Sequence, residues 1–374
     1  MLLFVELLDE LGSGIPGLGA PEIQSGFGVS YGMAAGWLQL AFVVLALVLE
    51  PPLMLLADRH PRRRFVLGGL VGLALCSWAA ALAPLYGVLF VTLAFWGVSS
   101  GVGVSLSQAT LMDAHPERRE QMMTRWVLLG SLGDLLTPAL FALLSLWSCG
   151  WREAFGVSGA LFAVAALALP AHFPQVRRSG PEGAPPIRRV LGDALRNRTL
   201  LLWLTGAALC ALLDEILVAF GSLYLRDVLG AGVAERSLVF ACFVAGGVPG
   251  LLAAERLLLR FEPVRLLAVA SALCAAAYLA WLFAGSVTTS AGLAALVGCT
   301  ASTLYPITQA QAYRALPEWS GTVAAIGSLF GWAQLLILPT LSVVADVWGL
   351  FPAMLLLCAQ PIGILLIAAS RLRR

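Results

Sequence analysis

The feature that most constrains this chain is a long apolar run that keeps returning. A helix needs about 20 apolar residues to cross the hydrocarbon core of a bilayer. Such runs occupy roughly 2–26, 31–57, 65–83, 85–112, 121–147 and 151–171. After a polar stretch they resume at 199–228, 234–258, 263–285, 288–313, 319–347 and 349–370. They are spans 1 to 12 below. With 60% hydrophobic and only 12% charged residues, the chain is too apolar for a soluble domain. The expected fold is an all-α membrane protein with twelve transmembrane helices.

Arginine sets the orientation. The 23 basic residues are all arginine. With a cytoplasmic N-terminus, every one of them except Arg152, Arg226 and Arg236 falls on the inner side, which places both termini inside. Span 1 lacks a basic leader and carries Glu6, Asp9 and Glu10, so it is expected to stay in the mature protein. The seven cysteines stand singly in apolar stretches and read as packing residues.

The chain also resembles itself. Ser107-Gln108-Ala109 through Pro116-Glu117 aligns without gaps on Thr308-Gln309-Ala310 through Pro317-Glu318, and Leu7-Leu8-Asp9-Glu10 recurs as Leu212-Leu213-Asp214-Glu215. An even number of spans separates the copies, as in parallel repeats. The domains expected are a six-helix bundle over 1–171, a cytoplasmic linker over 172–198 and a second bundle over 199–374. The proline- and arginine-rich linker reads as a solvated connector.

Ionisable groups are costly in a membrane, so their positions carry information. Spans 3, 6, 9 and 12 are nearly free of strongly polar residues, Gln360 excepted. Spans 1, 4, 7 and 10 hold most of them, and glycines at 12, 14, 17 and 19 with Pro16 should let span 1 bend. Four repeat-related polar helices suit a central cavity. An enzyme is not expected. The histidines lie in or beside loops without metal-ligand spacing, no nucleophile has a base partner, and without lysine there is no phosphate-binding G-x-x-x-x-G-K loop. No cofactor or metal is expected, nor any nucleic-acid partner.

One loop is more specific. Met54-Leu55-Leu56-Ala57-Asp58-Arg59-His60-Pro61-Arg62-Arg63 is similar to the G-x-x-x-D-R-x-G-R-R motif of the major facilitator superfamily, with Met54 and Pro61 in place of the glycines. Helix count, halves and linker resemble that family over nearly the whole chain. The resemblance implies a gating motif of Asp58, Arg59, Arg62 and Arg63, with the aspartate pairing near Trp319, Ser320 and Gly321 at the start of span 11. Glu50, two turns earlier beside Pro51-Pro52, reads as a kink residue or part of that gate. The closest type is the drug-efflux exporters, including the fosmidomycin-resistance type. Its span 5 signature is loosely echoed by Gly130-Ser131-Leu132-Gly133-Asp134 and Pro138.

A carboxylate withdrawn from water holds its proton more tightly and can exchange it under ordinary conditions. Asp9, Glu10, Asp134, Asp214 and Glu215 are therefore the candidates for proton coupling. Asp134 has a second reading, as a kink cap or the partner of a hydroxyl on span 1 or 4. Substrate contacts are expected from Glu6, Ser13, Gln108, Tyr305, Gln309, Gln311 and Trp332, although the amides could simply join helices. The acidic cavity favours a cationic, zwitterionic or neutral solute. Trp147, Trp151, Trp319 and Trp348 read as interfacial anchors. The expected activity is proton-coupled export of a small amphipathic compound by alternating access, from a monomer in the cell inner membrane. Nutrient uptake by symport or facilitated diffusion, and flipping of a lysolipid or lipid, are the alternatives. Asp134 faces Leu335 across the repeat, so coupling and gating are expected to concentrate in the N-terminal half.

Overall fold

A computed structural model describes residues 1–30, 32–174 and 186–372; the side chains at 32, 35, 36, 39, 214, 215, 219, 233, 234, 331–335, 338 and 339 lie outside that description. Among the described residues the protein is all helix. Spans 3, 4, 6, 8 and 9 are the single helices Arg62–Ala81, Tyr86–Ala114, Trp151–His172, Val233–Leu257 and Pro263–Leu282. Span 5 is Arg119–Ser145. Span 2 enters through a π turn at Gly32–Trp37 and ends in Ala46–Ala57. Span 10 is Val287–Ala301 and Leu304–Ala315, and span 12 is Leu350–Leu356 and Ala359–Leu372.

Spans 1, 7 and 11 are broken into shorter pieces. Span 1 divides at Gly14 and Gly19 into Leu2–Ser13, Ile15–Leu18 and Ala20–Phe27, where glycine weakens the ladder. Span 7 has no such glycine. Its helices Arg198–Leu209 and Leu217–Leu229 flank a π turn, Leu212–Ile216, that contains Asp214 and Glu215. Span 11 divides into Ser320–Leu329 and Gly331–Trp348. The linker also holds a helix that a purely polar reading passes over, Ile187–Arg196, whose Val190 and Ala194 are buried. Residues 175–185 of the linker lie outside the described residues.

The chain forms two compact units. Unit 1 comprises Met1–Glu117, Trp126–Ala194 and Pro317–Ser328, so it includes the first part of span 11. Unit 2 comprises Arg118–Arg125, Leu195–Leu316 and Leu329–Arg374, so it includes the first turns of span 5.

In unit 1, Ile15, Ile23, Leu38, Leu93, Trp151 and Phe155 share a buried core. Trp151 is thus a core residue rather than an interfacial anchor, because it packs against Phe27 and Phe155 under the Arg152 guanidinium, 4.3 Å from its ring. Arg152 itself donates to the carbonyls of Ala81 and Ala83, both at 2.9 Å, and so closes the end of span 3. In unit 2, spans 8 and 10 touch through glycine: a Cβ on Gly246, Gly250 or Gly298 would strike the facing backbone.

Candidate functional site

Unit 1 gathers five carboxyl groups from spans 1, 2 and 5. Span 1 supplies Glu6, Asp9 and Glu10, which one and a half helical turns bring to adjoining faces. Span 5 packs against them through small residues. A Cβ on Gly130 would meet the Glu6 and Glu10 side chains, and one on Gly133 would meet the Leu7 carbonyl oxygen. One turn on, the Thr137 hydroxyl donates to the Leu11 carbonyl oxygen at 3.1 Å. This close seam brings Asp134 within electrostatic reach of Glu10.

Span 4 completes the cluster. Ser100 donates to Asp9 Oδ2 at 3.0 Å. Asp9 Oδ1 is buried and has no partner among the described residues. The neighbouring Gly101 lies flat against the Glu50 carboxylate, where any side chain would overlap it. Glu50 thereby comes within electrostatic reach of Asp9. Pro51 and Pro52 do not break the helix Ala46–Ala57 that carries it. Glu6 lies within electrostatic reach of Glu10, Asp9 and Asp134. Ser13 is spent locally, donating to Glu10 Oε2 at 3.3 Å and to the Glu10 carbonyl. None of the ion pairs among the described residues reaches these five carboxyl groups.

The second constellation of unit 1 is a charged latch. Asp58 Oδ1 accepts from the Gly321 amide at 3.0 Å, and Oδ2 accepts from the Thr322 amide and hydroxyl at 2.6 and 2.8 Å. A carboxylate at a helix N-terminus suits both the free amides and the dipole. Arg62 ties the set together, bonding Asp58, Asp113 and Ser320 at 2.6 Å each. The glycine that the motif lacks at Met54 is supplied from the other side. A Cβ on Gly321 would come within 2.7 Å of the Met54 carbonyl oxygen. Arg63 is exposed and takes no part. Arg59 is half-buried.

Unit 2 has its own polar set. Glu120 accepts from Gln311 at 2.9 Å and from Arg314 at 2.8 Å, and Arg125 pairs with Glu255 at 2.6 Å. Gln311 is thus held by Glu120 and does not join the other amides expected to meet substrate. Gln108 and Gln309 are buried, and Tyr305 is half-buried. The side chains of Asp214, Glu215 and Trp332 lie outside the described residues. The π turn around Asp214 frees the Leu213 amide, which donates to Gln360 Oε1 at 2.7 Å from span 12. Sequence reasoning missed Ser100, Asp113, Glu120, Thr322 and this role of Gln360. Of these only Gln360 carried a signal, as a lone amide in an apolar span.

A polytopic helical protein with a carboxyl-lined interior and a charged latch at helix ends is a membrane transporter. The chain belongs to the Major Facilitator Superfamily, whose sequence pattern matches residues 2–332. It is a multi-pass membrane protein of a transporter family, not an enzyme.

A chloramphenicol resistance protein from Streptomyces lividans is 28% identical over 261 residues, 68% of this chain and 64% of that protein. The multidrug resistance protein Stp from Mycobacterium tuberculosis is 31% identical over 159 residues, 42% of this chain and 28% of that protein. The matched region thus spans less than two thirds of either relative. Among solved structures, the fucose:proton symporter of E. coli superposes with a TM-score of 0.82 at 17% identity, covering 99% of this chain and 97% of that one. The human organic anion transporter MFSD10 superposes at 0.73 and 18% identity, covering 98% of each. At these identities the likeness establishes the fold.

Proposed function

We propose that the protein is a proton-coupled exporter of a small amphipathic, cationic or neutral compound. The observation that carries this reading is the gathering of Glu10 and Asp134 beside Glu6, Asp9 and Glu50, with no ion pair to any of the five among the described residues. Exchange of a proton for a cationic substrate at such a cluster is the elementary step of antiport. The resistance functions named for the two curated relatives support export over uptake. In this reading the halves 1–171 and 199–374, joined by the linker 172–198, alternate access to the cavity while the Asp58 latch makes and breaks. The arginine distribution supports an inner-membrane location with both termini cytoplasmic. Asp214 and Glu215, the repeat counterparts of Asp9 and Glu10, are proposed as the second proton-coupling site.

The test uses purified protein in liposomes, with cationic and neutral antibiotics as solutes and an imposed pH gradient. Gradient-driven movement is expected in the wild type. Asp134→Asn keeps the size but removes one acid, and should uncouple transport from the gradient, as should Asp9→Asn. Full gradient dependence in both variants would sink the coupling assignment. Solute accumulating with the proton flow, rather than against it, would replace export by symport.

A further inference from the structure

A groove opens between residues of spans 2, 3 and 4. Leu53, Phe65, Val98 and Val102 form its walls, Gly68 its floor and Arg64 its rim, around a volume of about 340 Å³. Two adjacent glycines in span 3 do different things here. A Cβ on Gly69 would collide with the Gly103 backbone, so that glycine lets spans 3 and 4 touch. A Cβ on Gly68 would meet nothing, so that glycine leaves the groove open.

The rim is charged in a selective way. Arg62 is buried and bonded to Asp58, Asp113 and Ser320. Arg63 and Arg64 are exposed, and neither forms an ion pair among the described residues. Arginines at the end of a membrane helix mark the headgroup level. Gly68 lies four residues beyond Arg64, about 6 Å deeper at 1.5 Å per residue, which is where acyl chains begin.

We propose that this groove holds one acyl chain of an anionic glycerophospholipid whose phosphate rests on Arg64. The walls are apolar and lie on membrane-spanning helices, so a hydrocarbon tail is the occupant at hand. The guanidinium selects the headgroup: phosphate accepts two parallel N–H bonds from arginine, and an anionic headgroup lacks the choline cation that offsets this attraction. The seated tail touches Val98 and Val102, which flank the Gly101 contact with Glu50, and Leu53, one turn from Glu50. The lipid therefore braces the wall behind the carboxyl cluster, whichever solute is carried.

The test counts lipids that stay bound to the full-length protein in native mass spectrometry, with phosphatidylglycerol and phosphatidylcholine supplied in equal amounts. The wild type should retain phosphatidylglycerol with about a fivefold preference, the factor expected for one guanidinium near the surface. Gly68→Phe fills the groove and should abolish that retention. Gly87→Phe, at an exposed glycine of span 4 with open space around it, should leave it unchanged. Arg64→Gln should keep a bound lipid but lose the preference. Retention by Gly68→Phe, equal loss in Gly87→Phe, or equal binding of the two lipids by wild type would each overturn the proposal. If Gly68→Phe does not fold, an unaltered preference in Arg64→Gln overturns it alone.

Discussion

The Asp58 latch in unit 1 and the Glu120 and Glu255 contacts in unit 2 use the same residue types at helix ends, yet they differ in exposure. The Asp58 and Arg62 side chains are 2% and 4% exposed. Arg125 and Arg314 are each 47% exposed. A buried charge is tolerated only when every lone pair and N–H finds a partner, and Asp58 meets that demand with two amides, a hydroxyl and a guanidinium. An exposed pair has water as an alternative and gains little from closing. The first set is therefore closed by buried groups on both sides, whereas in the second each guanidinium keeps access to water even where, as at Glu120, the carboxylate is 5% exposed.

That contrast can be broken in graded steps. Asp58→Ala strands Arg62 and two helix-end amides, so it should cost roughly 3–5 kcal/mol and appear as a large drop in thermal unfolding temperature together with lost transport. Wild-type stability in that variant would show that the latch is not closed in solution. Gly321→Ala presses a methyl group toward the Asp58 carboxylate and the Met54 carbonyl, and should cost about 1–3 kcal/mol while leaving every charge in place. Its transport rate separates the geometry of the latch from its electrostatics. Arg125→Ala should change stability by about 1 kcal/mol or less. Raising salt should mimic that last variant and leave the Asp58 contacts intact, since buried pairs are poorly screened. Equal sensitivity of Arg125→Ala and Asp58→Ala would erase the comparison.

Much of this was legible because bilayers write in long words. Twenty-residue apolar runs, the bending of span 1 and the motif around Asp58 follow from residue type and order alone. What stayed hidden depends on register between helices. Asp134 reads as a lone acid in span 5, and only the Gly130 and Gly133 seam turns it toward Glu10. Asp113 and Glu120 sit beside a loop where acidic residues are unremarkable, and nothing local announces that Arg62 or Arg314 will reach them. That the Glu50 side chain lies on Gly101 was hidden as well, since in sequence its near neighbours are Pro51, Pro52 and the Asp58 loop. The π turn in span 7 has no glycine or proline to mark it, and its support comes from Gln360, well over a hundred residues away.

That π turn is in effect a one-codon insertion. Each residue of a helix turns the chain by about 100°, so the extra residue resets the azimuth of everything that follows. Phe220 and Tyr224, the latter bonded through its hydroxyl to the Leu282 carbonyl at 2.6 Å, lie downstream of that offset and are both buried. Deleting a single residue between 212 and 216 would restore a regular helix and swing both rings out of register. Span 7 is thus the place where the reading frame of the fold, rather than the identity of any side chain, is held by one amide.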